Sequence, residues 1–512
     1  MTALAAAAAA DTTTPGGFLL VLAVILPVIA ILAMVAFGPR QTGRLAIITI
    51  GAGVAVAVAI VAELLRTEAA LGFVVGNWQP PLGLALGADG LSAAMLAMTA
   101  LVIAAIGFFA HVQHGLDPAT RHGRAPTTFW ILLMAIWSAL NAVFIGEDLF
   151  NLYVALELLT FAAVPLVCLD GRAETVAAAL RYLLFALLGS LLYLLGTALI
   201  YGSFGTLDIG QLSAMDIQEP GASVALALMI AGLLAKAALF PLHIWLPPAH
   251  AGAPAAASAV LSALVIKAPF FLILRLVLDV APPGFAAHAG QVLAIFGAAS
   301  ILFCSLVALR QARLKLMIAY STVAQIGYLF IVFPLAAGTG TLPPWETIAW
   351  TGGALQLISH ALAKAAMFLA AGAIAEAFGH DRIADLGGFG RALPISATAF
   401  GLAGMSLMGL PPSGGFVAKC LLLTAAVTGG HPFLAATILA GGLLAGGYVF
   451  RIVERALATP AIALVAARPV PRRLELAALV LALAAILVGL VPLQPLGFLQ
   501  LGRIAPIPLG MS

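Results

Sequence analysis

Four lysines, Lys236, Lys267, Lys364 and Lys419, lie inside apolar stretches of this chain, together with His243, His360 and one carboxylate, Glu157. Amines, imidazoles and carboxylates held away from water can do one kind of chemistry well, which is to pass protons among themselves. An ammonium group in hydrocarbon is expensive, so such residues persist mainly where they face a partner or a polar cavity. Glu157, in DLFNLYVALELLTFAAVPLV, stands eight residues into an expected helix, roughly 12 Å deep at about 1.5 Å per residue. A carboxylate at that depth is either protonated or paired, and Lys236 is its natural partner. At about 4 Å and an effective dielectric near 20, their attraction is roughly 4 kcal/mol. Separating such a pair would change proton affinity enough to drive uptake or release. The competing reading is a static ion pair that fixes helix packing.

The stretch from Leu233 to Lys267, LLAKAALFPLHIWLPPAHAGAPAAASAVLSALVIK, holds two of the lysines. His243 follows Lys236 by seven residues and would share its face in an unbroken helix, but Pro241, Pro247 and Pro248 argue for a break. Imidazole at a break suits a proton relay near neutral pH; a histidine satisfied by a freed carbonyl is the alternative. His250 is expected close to the cytoplasmic end and ranks lower. His360 and Lys364, in SHALAKAAMFL, are four apart and share a helical face. Tyr320, Ser321, Gln325, Tyr328, Ser258 and Ser262 add polar atoms nearby, each read first as a helix-packing hydrogen bond. Asp89, at the start of DGLS, reads as interfacial and structural.

These side chains need helices to hold them, and the composition supplies helices of one class. The chain is 63% hydrophobic and 8% charged, with mean hydropathy +1.15, against about 25% charged residues in a soluble domain. An all-α polytopic membrane protein follows. Apolar runs able to cross a core of about 30 Å fall near 17–36, 44–65, 91–112, 128–146, 149–169, 177–202, 222–242, 253–278, 288–308, 313–336, 345–375, 394–427, 432–455 and 472–492, about fourteen helices. The runs at 345–375 and 394–427 exceed a simple span, which predicts broken or strongly tilted helices. Arg181 and Arg275, near helix ends, are expected to snorkel to the interface.

One set of alternate loops holds most of the cations, from Arg40, Arg44, Arg121 and Arg124 to Arg472 and Arg473. The other side holds Arg66 and Arg503 with Glu68, Asp208, Asp216, Glu219 and Glu346. The basic side is expected to be cytoplasmic, in a bacterial inner membrane, with both termini outside. The N-terminal stretch MTALAAAAAADTTTPGG lacks the basic start of a signal peptide, so the first span is expected to be retained. Cys168, Cys304 and Cys420 are scattered and read as small hydrophobes. The sequence shows no nucleotide, metalloprotease or hydrolase motif and no basic run suited to nucleic acid. No cofactor and no metal site is expected. A second interruption, GLPPSGG at Gly409 to Gly415 with Lys419 just after it, mirrors the break after Lys236. Paired broken helices in corresponding places mark repeat-built transporters. The expected division is 1–127, N-terminal helices; 128–278 and 288–455, two repeats; and 456–512, a last helix and tail.

The runs DLFNLYVALELLT, KAALFPLHIWLPPAHAGAPAAASAVLSALVIK, LKLMIAYSTVAQIGYL, SHALAKAAMFL and GLPPSGGFVAK, spread over about residues 85 to 455, resemble the antiporter-like proton-translocating subunits shared by respiratory complex I, Mrp-type cation/proton antiporters and membrane-bound hydrogenases. The resemblance implies fourteen helices, two inverted five-helix repeats with broken helices, and a line of buried ionisable residues. By motif, Glu157 resembles the glutamate of the fifth helix, Lys236 its partner on the broken seventh, Lys267 the connecting lysine of the eighth, His360 and Lys364 the pair of the eleventh, and Lys419 the terminal residue of the broken twelfth. Lysine at 419, where some members carry glutamate, is more like the Mrp D-type subunit and some complex I subunits. No long amphipathic helix is expected after the last span, unlike the complex I subunit with a lateral arm. The implied path starts on the cytoplasmic side near Lys236 and His243, passes Lys267, His360 and Lys364, and leaves near Lys419. Its partners would be other membrane subunits, the lipid bilayer, protons and, for an Mrp-type Na+/H+ antiporter, Na+. The driving step would be cation exchange there, or redox chemistry in another subunit of a complex I-like NADH:quinone oxidoreductase or a hydrogenase-type assembly. A stand-alone solute transporter is the rival from another class, but its pocket would show an accessible arginine or converging helix N-termini. A purely structural scaffold would not retain four buried lysines.

Overall fold

The computed structural model describes residues 13–116, 123–215, 217, 220–336, 344–459, 466–491 and 494–502. Arg121, Asp216, Glu219 and Arg503, used above to place charge, lie outside them.

A backbone that meets no water must bond to itself, and apolar runs of this length do so as helices. The described residues form α1 (Phe18–Phe37), α2 (Thr42–Thr67), α3 (Gly90–His114), α4 (Arg124–Ile145), α5 (Leu149–Val167) and α6 (Ala173–Phe204). Next come α7 (Pro220–Lys236), α8 (Leu246–Gly252), α9 (Ala255–Val280), α10 (Pro283–Leu309), α11 (Leu314–Ala336) and α12 (Pro344–Phe378). The chain continues with α13 (Pro394–Met408), α14 (Gly414–Thr428), α15 (Pro432–Leu457) and α16 (Arg472–Leu487). Among the described residues, twelve helices are long and apolar enough to cross a membrane. Helices α13 and α14 have 15 residues each, about 22 Å at the helical rise and too short to cross singly. With α13 and α14 taken as one interrupted span, and α7 and α8 as another, the described helices make the fourteen crossings expected.

Each interruption has a local cause. Helix α7 stops at Lys236, earlier than the expected 242, because Pro241 brings no N–H and Ala238 takes a left-handed φ of 54°. The carbonyl of Ala235 there accepts from Ala238 N at 3.3 Å and from Trp245 Nε1 at 2.9 Å. Helix α13 stops at Gly409, whose φ of 82° favours glycine, and α14 starts at Ser413, whose Oγ accepts from Phe416 N at 3.2 Å. A Cβ on Gly409 would also stand 2.8 Å from Lys419 Cδ. Of the two segments expected to be broken or strongly tilted, 394–427 is broken, whereas 345–375 lies in one unbroken helix of 35 residues, which leaves tilt as the form of that expectation. No proline follows Pro344 within it, and 94% of its apolar window is buried, so nothing interrupts the ladder.

Two features carried no sequence signal. Leu71–Val74 and Ala85–Ala88 pair antiparallel as a hairpin whose Leu86 bridges Gly146 at the α4–α5 junction. Helix α9 contains two π-type turns, Leu261–Val265 and Leu276–Val280; Pro269 withholds the N–H that the Val265 carbonyl would otherwise accept. The snorkelling expected of Arg275 is corrected: its guanidinium is inside, bonding Glu147 at 2.9 Å and Asp279 at 2.5 Å. Arg181 is exposed, as expected. Asp89 caps α3, accepting from Ser92 N at 2.7 Å.

Helices α9 and α12 form the centre, each with 94% of its apolar window buried, while α1 and α2 flank it at 28%. Small residues set the close contacts, as expected where packing rather than the hydrophobic effect joins helices. A Cβ on Gly232 of α7 would lie 2.2 Å from Gly189 O of α6, and one on Gly327 of α11 would lie 2.3 Å from Gly297 O of α10. Gly232→Val should therefore destabilise the purified protein by about 1–3 kcal/mol. Gly202→Val, where a Cβ meets nothing within 4 Å, should leave the melting temperature near wild type in the same detergent; equal effects would refute the contact.

Candidate functional site

The structure joins Glu157 and Lys236. Lys236 Nζ donates to Glu157 Oε1 at 2.9 Å and to Thr160 Oγ1 at 3.0 Å, and Ser190 Oγ of α6 also donates to Glu157 Oε1. Glu157 and Thr160 share a face of α5 at i,i+3 spacing. The Gly189–Gly232 contact brings α6 and the end of α7 against it. At this separation and an effective dielectric near 20 the attraction is about 6 kcal/mol, comparable with the several kcal/mol each ion loses on leaving water. The pair therefore stands near balance.

Past the break, His243 packs against Phe240, with ring centroids 5.5 Å apart, and faces Phe303 and Tyr320 edge-on at 6.5 and 6.4 Å. Its Nδ1 has no protein partner. His250, which ranked low from sequence, is fully buried in α8, stacks on Phe368 of α12 at 4.7 Å, and has neither ring nitrogen hydrogen-bonded. It stands within electrostatic reach of Lys364 and of Lys315, whose ammonium donates to Ala253 O at 3.0 Å.

The central group comes from α9, α11, α12 and α14. Lys267 Nζ donates to Ser262 O at 2.8 Å, across the π-type turn. There Ile266 N reaches back five residues to Leu261 O at 3.5 Å, so the ladder shifts and leaves a carbonyl for the amine. Ser262 Oγ meets Thr322 Oγ1 at 2.8 Å, tying α9 to α11. Lys364 Nζ donates to Ile318 O at 3.2 Å and to Ser321 Oγ. Lys419 Nζ donates to Leu407 O at 2.5 Å and lies 4.3 Å from the centre of the Tyr328 ring, a cation–π contact. Gln325 Nε2 also reaches Leu407 O, at 3.2 Å, and Gln325 Oε1 accepts from Gln356 at 3.2 Å. His360 is buried one turn before Lys364 with both ring nitrogens free of protein partners, and Lys267, Lys364 and Lys419 all lie within its electrostatic reach.

The seven residues singled out from sequence thus fall into two groups, Glu157, Lys236 and His243 around the first break and Lys267, His360, Lys364 and Lys419 in the centre. Among the described residues no hydrogen bond joins the two. Sequence reasoning missed the carbonyl acceptors Ser262 O, Ile318 O and Leu407 O, since every residue has a carbonyl. It also missed Ser190 and Thr160 as ligands of the pair, although both are hydroxyl residues inside apolar spans, and it undervalued His250.

Fold and site together define a polytopic α-helical membrane protein with two interrupted helices and a chain of buried amines. The family described as NADH:quinone oxidoreductase/Mrp antiporter, TM matches residues 146–445, a span that includes every residue of both groups. The chain belongs to this family, which establishes the resemblance read from its five motifs. It is 35% identical to the NADH-quinone oxidoreductase subunit N of Desulforudis audaxviator, over 85% of this chain and 87% of that one. It is 30% identical to the D-type subunit of the Na(+)/H(+) antiporter of Alkalihalophilus pseudofirmus, with 72% of each covered. The structure of the Mrp complex from Dietzia sp. DQ12-45-1b superposes with a TM-score of 0.83 at 26% identity, covering 94% of this chain and 96% of that one.

A thermodynamic cycle on Glu157→Ala and Lys236→Ala reads the pair directly. Each single change leaves a buried charge alone and should cost about 3–5 kcal/mol, and the double variant should recover about 2–3 kcal/mol of the summed loss. Additive losses in thermal unfolding would mean that the two groups do not interact.

Proposed function

We propose that this chain is a proton-translocating membrane subunit of a multisubunit complex, moving protons along its buried lysines and histidines. One observation carries the reading: among the described residues, both ring nitrogens of His360 lack a partner, and the three buried lysines whose charges it feels have no carboxylate bonded to them. An imidazole can accept a proton on one nitrogen and release it from the other, and amines that repel one another when charged pass a proton on rather than keep it. Glu157 and Lys236 act as the switch. While paired they hold one charge each; when Lys236 moves away, neither charge is compensated and a proton shifts.

Intake is on the basic side, near Lys236 and His243, with Lys315 and His250 as a second approach to Lys364. Lys267, His360 and Lys364 carry the proton across, and release is near Lys419. Residues 128–278 and 288–455 act as the two repeats, each with one interrupted helix. The basic side is cytoplasmic and both termini lie outside, in the cell membrane. The energy comes from elsewhere in the assembly, either cation exchange as in the Mrp relatives or redox chemistry as in the quinone-reductase relatives. Inverted membrane vesicles containing the whole complex separate these: acidification driven by NADH marks redox coupling, and a Na+ pulse that collapses an imposed proton gradient marks exchange.

Lys236→Ala should abolish proton-coupled activity in such vesicles while the complex still assembles, and Glu157→Gln should cause a strong but incomplete loss. Normal proton flux in Lys236→Ala, measured by acridine fluorescence quenching, would remove the proposed path.

A further inference from the structure

A second polar feature lies apart from the proton path, where the turn between α1 and α2 meets the end of α3 and the start of α4. A cavity of about 320 Å³ opens there, lined by Arg40, Arg44, His111, His114 and Trp130 with the backbone of Pro39 to Gly43. Among the described residues no acidic side chain lines it and neither arginine has an ion-pair partner. Trp130 is 3% exposed, and its indole nitrogen borders this space beside Gly43. The Nδ1 of His114 is buried without a partner among the described residues. Gly43 opens onto the same space: a Cβ there would stand 3.6 Å from Trp130 Nε1 and 3.9 Å from His111 Nδ1. The first turn of α2 adds backbone N–H groups that its cap residue, Gln41, does not bond through its side chain.

Two guanidinium forks, an indole N–H and uncapped helix N–H groups are donors gathered around one cavity, the pattern that a phosphate oxygen satisfies. The surroundings specify where the phosphate comes from. Leu32, Val35 and Phe37 on α1 and Ile48 on α2, within about three turns of the cavity, are 65%, 69%, 69% and 68% exposed, so an apolar surface runs from the cavity mouth along both helices. A ligand that fits both parts has an anionic head and hydrocarbon tails. We infer that this cavity binds the phosphate of an anionic phospholipid, whose acyl chains lie along α1 and α2.

The test uses the purified full-length chain in detergent, with dioleoyl phosphatidylglycerol, dioleoyl phosphatidylcholine and sodium phosphate as separate probes in native mass spectrometry. One phosphatidylglycerol should stay bound under conditions that strip phosphatidylcholine. The double variant Arg40→Gln/Arg44→Gln should weaken that binding about thirtyfold, the loss of two cationic contacts at a membrane surface. Gly43→Leu, which keeps both charges but fills the space between Trp130 and His111, should also release the lipid. Gly51→Leu on the same helix, where a Cβ meets nothing within 4 Å, should retain it. Equal retention of phosphatidylglycerol by wild type, double variant and Gly43→Leu would overturn the assignment. So would saturation by inorganic phosphate with no preference between the two lipids.

Discussion

An ammonium group inside a helical bundle needs oxygen atoms, and a regular α-helix has already used its carbonyls. That constraint explains where the irregularities of this protein fall. Lys236 is the last residue of α7, so it stands where the ladder has ended and reaches across to Glu157 and Thr160. Lys267 follows a π-type turn and bonds the carbonyl of Ser262. Lys419 bonds the carbonyl of Leu407, two residues before the glycine that ends α13. Only Lys364 lies in an unbroken helix, and it borrows Ile318 O from α11, where the hydroxyls of Ser321 and Thr322 also converge. Broken and π-type helices are thus the means by which an apolar interior keeps amines at all.

The same constraint separates the two groups of residues by their electrostatics. Lys236 has a counter-charge, and its attraction to Glu157 nearly offsets the cost of burying both ions. The three central lysines have dipoles for ligands, which hold an ammonium in place without cancelling its charge. A proton added to one of them is therefore felt by the other two and by His360. The pair compensates its own charge, and the central group, among the described residues, does not. Other polar contacts tie the helix ends: Arg275 joins the end of α9 to Glu147 of the α4–α5 junction, and Glu475 of α16 accepts from Ser396 N and Oγ at 2.8 and 2.9 Å at the start of α13.

What could be read from the residues was whatever costs energy in a membrane. Lysine, glutamate, histidine and proline inside apolar runs are conspicuous, so the pair, the two breaks and the helix that carries His360 and Lys364 were all legible. The acceptors were not, because the carbonyls of Leu407 and Ile318 belong to ordinary apolar residues. The partner of Arg275 was hidden by 128 residues of chain, and without it an arginine near a helix end reads as a snorkelling one. Length alone left a break and a strong tilt open for α12; a helix breaks at a residue that interrupts its ladder, and α12 has no proline after Pro344.

His250 shows how position misleads. Near the end of a hydrophobic segment a histidine is expected to meet solvent, and on that ground it ranked below His243. Beyond the break after Lys236, α8 carries His250 against Phe368, one turn beyond Lys364 on α12. An imidazole buried with both nitrogens free is costly unless something moves to meet it. Lys364 and Lys315 are the cations whose charges it feels. The interruption that follows Lys236 thus also brings a titratable ring into the field of Lys364 and Lys315.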